Sequence, residues 1–394
     1  MRQSRLLQRL DAAIASSKLA IDADSFRGER ALYLTRLGHR KKAAAAVAEL
    51  RARYETKPNV KISGWLNLVE GLDIYFADMG PGAHDKVKRS HALSAAAGLK
   101  QLQALSAAWL AQLDYMQHDI AEMARHLREA LELAEPDNHG AHSRASLVAA
   151  QALRHAGRED LATLWHKRAH QHSTKEGDEA TLSALLHNMA WLRMLMWRQK
   201  TLRGQDESAE CRHALMSAES TENFDEMVGS SSLLVLRRLL RAQVLSLQGQ
   251  PQDALAIYAE QLVDSQKLGA SRLQASLLAD QAWCYQRLGE LENARRYCAL
   301  STESITPKTN VDNRAATHSR LAQIYAELGD DDAAKRHGAL SDKDWEANDK
   351  LQAQVVDLIG DLHGAHAAPA VFKPLPAPTP HAHTVPPPEP ASAL

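Results

Sequence analysis

The stretch Leu321-Ala-Gln-Ile-Tyr-Ala-Glu-Leu-Gly-Asp-Asp-Asp-Ala-Ala-Lys-Arg-His337 reads as a helix, a tight turn at Gly329 and a second helix. The same grammar recurs in Arg241-Ala-Gln-Val-Leu-Ser-Leu-Gln-Gly-Gln-Pro-Gln-Asp-Ala254, and Ala111-Gln-Leu-Asp-Tyr-Met-Gln-His118 opens another copy. Working outward, turns fall at Gly38, Gly80, His118, Gly157, Gly204, Gly249, Gly289 and Gly329, at intervals of 42, 38, 39, 47, 45, 40 and 40 residues. A steady period near 40 is the mark of a solenoid, in which each unit packs on its neighbours. Glycine suits these turns because a helix often ends on a left-handed residue, where a Cβ is costly. His118 is the exception.

Two further columns support the register. Five residues after the turns stand Ala43, Asp85, Met123, Ala162, Ala209, Ala254, Ala294 and Ala334. Seven residues before them stand Ala31, Asp73, Ala111, Ala150, Trp197, Ala242, Ala282 and Ala322. Small residues at both places let the two helices of a hairpin approach closely. Four residues before the turn the side chain is usually large and apolar, as at Leu34, Phe76, Leu153, Leu245, Tyr285 and Tyr325. Ala and Leu dominate the composition and aromatics are 5%, which favours helices over strands.

The pattern Leu321…Tyr325…Leu328-Gly-Asp…Ala334, with Ala282…Tyr285…Leu288-Gly-Glu…Ala294, resembles the tetratricopeptide (TPR) repeat. The resemblance covers roughly residues 25–341, with a period near 40 in place of the family's usual 34. It implies an all-α, right-handed α-solenoid of about eight TPR-like hairpins. Residues 1–24 are expected to form an N-terminal capping helix, since Leu6, Leu7, Leu10 and Ile14 share one face of a helix over 2–20. A C-terminal capping helix is expected over 342–364, with Leu351, Val355, Leu358 and Leu362 as its apolar stripe. Nine prolines between Pro369 and Pro390 make 365–394 a disordered, partly polyproline tail.

The formal net charge of −1 argues against a general nucleic-acid binder. It hides an asymmetry: ten Lys/Arg against three Asp/Glu over 27–61, and eight Asp/Glu against three Lys/Arg over 327–349. Solvated faces account for both, with a phosphate contact at Arg40-Lys-Lys42 as the lesser reading. Cys211, Cys284 and Cys298 lack a Cys-x-x-Cys spacing and suit a reducing compartment. The N-terminus is cut by charge, and ahead of the Pro-rich tail the longest uncharged runs, such as Ala180–Leu192, are about 13 residues, short of a membrane span. A cytoplasmic protein without membrane contact is expected.

No catalytic signature stands in the chain: no phosphate-binding glycine loop, no Gly-x-Ser-x-Gly, no His-Glu-x-x-His. An enzyme is not expected, nor a cofactor. His166 and His170 share a helix face at i, i+4 with His172 beside them, but no Cys or carboxylate completes a metal set, so no metal site is assigned. The informative column lies six residues before each turn and contains Gln112, Gln151, Arg198, Gln243, Trp283 and Gln323. In TPR-like superhelices this part of the first helix faces the concave groove. Glutamine offers donors and acceptors to a peptide backbone, and Trp and Arg are common interface anchors. The bland reading is that Gln is a good exposed helix residue.

The leading expectation is a protein-interaction scaffold that holds a peptide or partner helix in the concave groove through those six residues. The alternative is a signal-responsive regulator whose array senses a small ligand or peptide. The partner is another protein or peptide, and a homo-oligomer stays open.

Overall fold

The computed structural model describes residues 4–366, apart from 79, 81, 205–215, 217–219, 222, 229, 232–233, 266–272 and 307–308. Every regular element among the described residues is a helix. The hairpins are α2 (Ala20–Arg36) with α3 (Arg40–Arg53), α4 (Val60–Asp78) with α5 (Gly82–Ala96), α6 (Lys100–Met116) with α7 (Ile120–Leu133), and α8 (His139–His155) with α9 (Glu159–Glu176). Helix α10 (Glu179–Leu202) follows, then α11 (Leu234–Leu247) with α12 (Pro251–Ser265), α13 (Gln274–Arg287) with α14 (Leu291–Ser304), and α15 (Val311–Glu327) with α16 (Asp331–Ile359). A first helix, α1 (Arg5–Ser16), and a last, α17 (Leu362–His366), flank the array. Ala209 and Cys211, the second half of the fifth unit and the Pro-rich tail lie largely or wholly outside the described residues. No helix among those described is long and apolar enough to cross a membrane.

Local chemistry sets the period. Gly38, Gly157, Gly204, Gly249, Gly289 and Gly329 have φ between 74° and 87°, and His118 takes the same left-handed turn at φ 59°. In six hairpins the amide just after the turn donates to the carbonyl five residues earlier, as from His39 to Leu34, Arg158 to Leu153 and Asp330 to Tyr325, at 2.8–2.9 Å. This is the Schellman closure, which satisfies a carbonyl that the helix end leaves orphaned. In five of these six the residue four before the turn supplies both the apolar side chain and the carbonyl, Asp114 being the exception. Side chains cap the other ends: Asp119 accepts from the Glu122 amide and Asp330 from the Ala333 amide.

The small columns are the contact lines of the hairpins. Ala43, Ala162, Ala254 and Ala294 are 0–2% exposed, as are Ala31, Ala111, Ala150, Ala242 and Ala282. With no side chain beyond Cβ at either place, the helices of a pair close against each other and the larger neighbours fill the flanks.

Two expectations shift at the ends. The N-terminal segment is two helices, not one over 2–20. The Ser17 hydroxyl donates back to the Ala13 carbonyl at 2.7 Å, and Leu19 is extended before α2 begins. Ser17 itself is already extended, at φ −65° and ψ 126°. At the other end, the helix expected from Asp342 is continuous with the last hairpin, because nothing between His337 and Ile359 breaks α16.

The first helices of the hairpins pack on one another as an inner layer, and the second helices form the outer layer. The solenoid also closes on itself. Tyr33 and Ser4 hydrogen-bond to Glu179, Arg36 pairs with Asp178, and the Ser231 amide donates to the Leu37 carbonyl. Helix α16 returns to α7 and α8, where Val355, Ile359 and Leu362 join the core around Leu127, Leu153 and Trp165. The Arg128 guanidinium donates to the Leu358 carbonyl in that seam.

Candidate functional site: a cavity inside the superhelix

Closure leaves a cavity of about 390 Å³ between the inner helices α2, α4, α6, α8 and α10, with α11 and the start of α15 on the opposite side. That volume lies in the range of small-ligand sites, about 300–1,000 Å³. One wall is apolar: Tyr75, Phe76, Trp191, Leu192, Val235 and Leu236. Tyr75 and Phe76 meet each other and Trp109 edge to face, with ring centroids 4.9–6.3 Å apart, an arrangement that fixes the rings.

The polar groups are few and unequal. Arg36 is matched by Asp178, 2.9 Å away. Arg144 is not matched. It is 6% exposed, its Cζ lies 3.8 Å from the centroid of the Trp109 ring, and no hydrogen bond or ion pair reaches it among the described residues. Burial, and then the neighbouring Arg36 charge, push its pKa down to about 9, which still leaves it charged at neutral pH. Gln112 is 4% exposed and lines the cavity beside it.

A second polar group joins hairpins far apart in sequence. Asp312, at the start of α15, stands 3.9 Å from His118 Nε2 and 4.0 Å from His155 Nε2. Tyr115 hydrogen-bonds to His155 Nδ1 at 3.1 Å, and Asp312 Oδ1 has no hydrogen-bond partner among the described residues. Burial lowers the pKa of His155, with Asp312 opposing the shift. The hairpin turn that lacks glycine is therefore the one whose side chain reaches the cavity. A left-handed non-glycine residue costs strain that its surroundings must hold, and here the imidazole faces Asp312.

The six residues of the sequence column separate. Gln112 and Gln151 line the cavity, and Gln151 Oε1 accepts from Asn188 at 3.3 Å. Arg198, Gln243, Trp283 and Gln323 are not among the described residues that line it. Arg198 is 2% exposed and donates to Asp280 at 2.8 Å, and the Gln243 amide donates to the other Asp280 oxygen at 3.3 Å. Trp283 is half-buried with Arg320 4.4 Å over its ring, and Gln323 accepts from Arg320 at 3.1 Å. Four of the six thus belong to a network between neighbouring inner helices.

Sequence reasoning passed over Arg144, Asn188 and Asp312. Arg144 left a faint signal: a lone charge in the small and apolar run Ser143-Arg-Ala-Ser-Leu147. The histidines regroup as well. His139 Nδ1 and His172 Nδ1 are 3.0 Å apart and His142 stacks on His172. No group of three His, Cys, Asp or Glu side chains among the described residues is placed to hold a metal ion. Arg40, part of the basic start, forms a bidentate pair with Asp73 at 2.6 and 2.9 Å.

No protein-family model and no curated protein matches the chain. Among solved structures it is similar to that of a Rap protein complexed with competence and sporulation factor, with a TM-score of 0.54 and 12% sequence identity, covering 88% of this chain and 92% of that one. The similarity is one of fold: the chain is a TPR-like helical-repeat solenoid.

Proposed function

We propose that the protein is a ligand-responsive interaction module, with a short peptide or comparable small ligand held in the cavity inside its superhelix. The observation that carries this reading is a cavity lined by the buried Gln112 and by Arg144, a buried charge without a hydrogen-bond or ion-pair partner among the described residues.

The same geometry makes an occupant regulatory. The cavity is bounded by α6, α8 and α10 and also by Asp312 of the last hairpin. A ligand that touches both sides binds the closed superhelix better than an opened one, and so shifts the balance toward closure. The exposed faces of the outer helices α3 and α14 can then meet a protein partner that reads this change. The fold similarity supports the reading, since the solved Rap protein is itself complexed with a named factor.

Filling the cavity tests this. Asn188 lines it on α10. Wild type is expected to retain members of a randomised tetrapeptide library. Asn188→Trp should retain none while keeping its circular dichroism and unfolding midpoint. Equal retention by both proteins would put binding outside the cavity.

A further inference from the structure

We propose that Arg144 is the carboxylate anchor of this cavity, and that its ligand presents one carboxylate to the guanidinium and an adjacent amide to Gln112. The inference rests on the cavity being the ligand site, and goes beyond it in naming the chemistry that site selects.

Arg144 is 94% buried, since its exposure is 6%, and it lines the cavity from α8. Its apolar side is used: the guanidinium lies 3.8 Å over Trp109. Its hydrogen-bonding edge is not used by any described residue, and Nε is buried without a partner. Buried charges are normally paired, because an uncompensated one loses its hydration and gains nothing in return. Two other buried arginines of this protein are paired: Arg198 faces Asp280, and Arg36 faces Asp178.

Charge count narrows the ligand. Arg36, Arg144 and Asp178 sum to one positive charge at this end of the cavity. One monoanion neutralises it. A phosphate dianion would carry excess charge into a wall built of Phe76, Trp191 and Leu192. The planar fork of guanidinium matches a carboxylate through two parallel N–H···O bonds. Gln112, also buried and lining the cavity, supplies a donor and an acceptor suited to a peptide group. Three sources offer such a carboxylate: a peptide C-terminus, an acidic side chain within a peptide, and a small organic acid.

The test uses full-length wild type, Arg144→Met and Arg144→Lys, immobilised and equilibrated with three probes. These are a randomised tetrapeptide library with free C-termini, the same library with C-terminal amides, and a panel of small aromatic and aliphatic monocarboxylates. Mass spectrometry reads what is retained. Wild type should retain free-acid peptides, with retention down at least about tenfold on amidation and in Arg144→Met, the loss of one charge-assisted contact. Arg144→Lys, which keeps the charge and loses the fork, should fall between, and it carries the test if Arg144→Met does not fold.

Arg144-dependent retention of acidic peptides from the amide library, or of monocarboxylates, upholds the anchor and identifies its source. Identical retention by wild type and Arg144→Met overturns the anchor and leaves the cavity standing. If wild type retains no probe, both the cavity reading and the anchor fall.

Discussion

Arg198 and Arg144 stand on the packed inner helices α10 and α8, both almost wholly buried, yet they face opposite surroundings. Arg198 donates to Ser276 and to Asp280, and the same carboxylate accepts from Gln243. The charge is cancelled within the protein, and the network ties α10, α11 and α13 together. Arg144 has an aromatic ring beneath it and a cavity before it. A paired buried arginine fixes how hairpins stack; an unpaired one keeps its interaction in reserve. The fold supports the first by packing and tolerates the second because the rest of that core, around Trp109, Leu110 and Leu113, is well filled.

The strongest way to break this comparison is to remove the partner of the paired arginine. Asp280→Ala leaves Arg198 buried without a counter-charge, takes away the acceptor of Gln243, and strips the nearby Arg320 of the carboxylate that opposes the lowering of its pKa to about 10. Breaking one side of a buried pair costs about 3–5 kcal/mol. Urea unfolding should show that loss, and hydrogen exchange should place it in α10–α13. A change within about 1 kcal/mol would mean that the network carries no structural weight.

The same contrast explains how much the sequence could say. The turns were legible because each is a local requirement: a left-handed residue ends the helix and the next amide closes on Leu34, Leu153 or Tyr325. The small columns were legible because hairpin packing repeats with the period of the turns. The cavity was not. Its walls join residues that share no local rule, such as His118 and His155 with Asp312, or α16 with α7 and α8. A fixed register points toward the superhelix axis in every repeat, but what covers it there depends on closure. Gln112 and Gln151 meet open space, whereas Arg198 and Gln243, in the same column, are covered by α13 and its Asp280. The continuous α16 was missed for a simpler reason: an apolar stripe shows where a helix packs, not where it starts.

A smaller effect sharpens the comparison with a buried base in place of a buried cation. His187 lines the cavity, is 5% exposed, and is held down to a pKa of about 4 by burial and then by Arg237. Unfolded, it takes its proton near its ordinary value of 6.5. Between those values the unfolded chain binds more protons, so stability falls as pH drops from about 6.5 toward 4 and is unaffected above that window. From pH 7 to pH 5 the loss from this group is about 2 kcal/mol. The urea midpoint of His187→Gln should fall less over that range than that of wild type. Parallel declines in the two proteins would assign the acid sensitivity to other groups, His337 and His172 being the next candidates because burial lowers both.

The smallest expected effect is the most discriminating. Arg144→Met removes a buried charge that has no described counter-ion and puts an apolar side chain of similar length beside Trp109. The mutation gives up the cation–π contact, worth about 1–2 kcal/mol when desolvated, and removes the desolvation cost of an uncompensated charge, of order several kcal/mol for a buried ion. The two terms oppose, so unliganded stability should stay within about 1 kcal/mol of wild type or rise above it. Asp280→Ala and Arg144→Met, measured in the same urea titration, then differ by several kcal/mol although each touches one buried arginine. If Arg144→Met instead cost as much as Asp280→Ala, Arg144 would be part of the scaffold, and the distinction between a charge that holds the hairpins and one kept for a ligand would collapse.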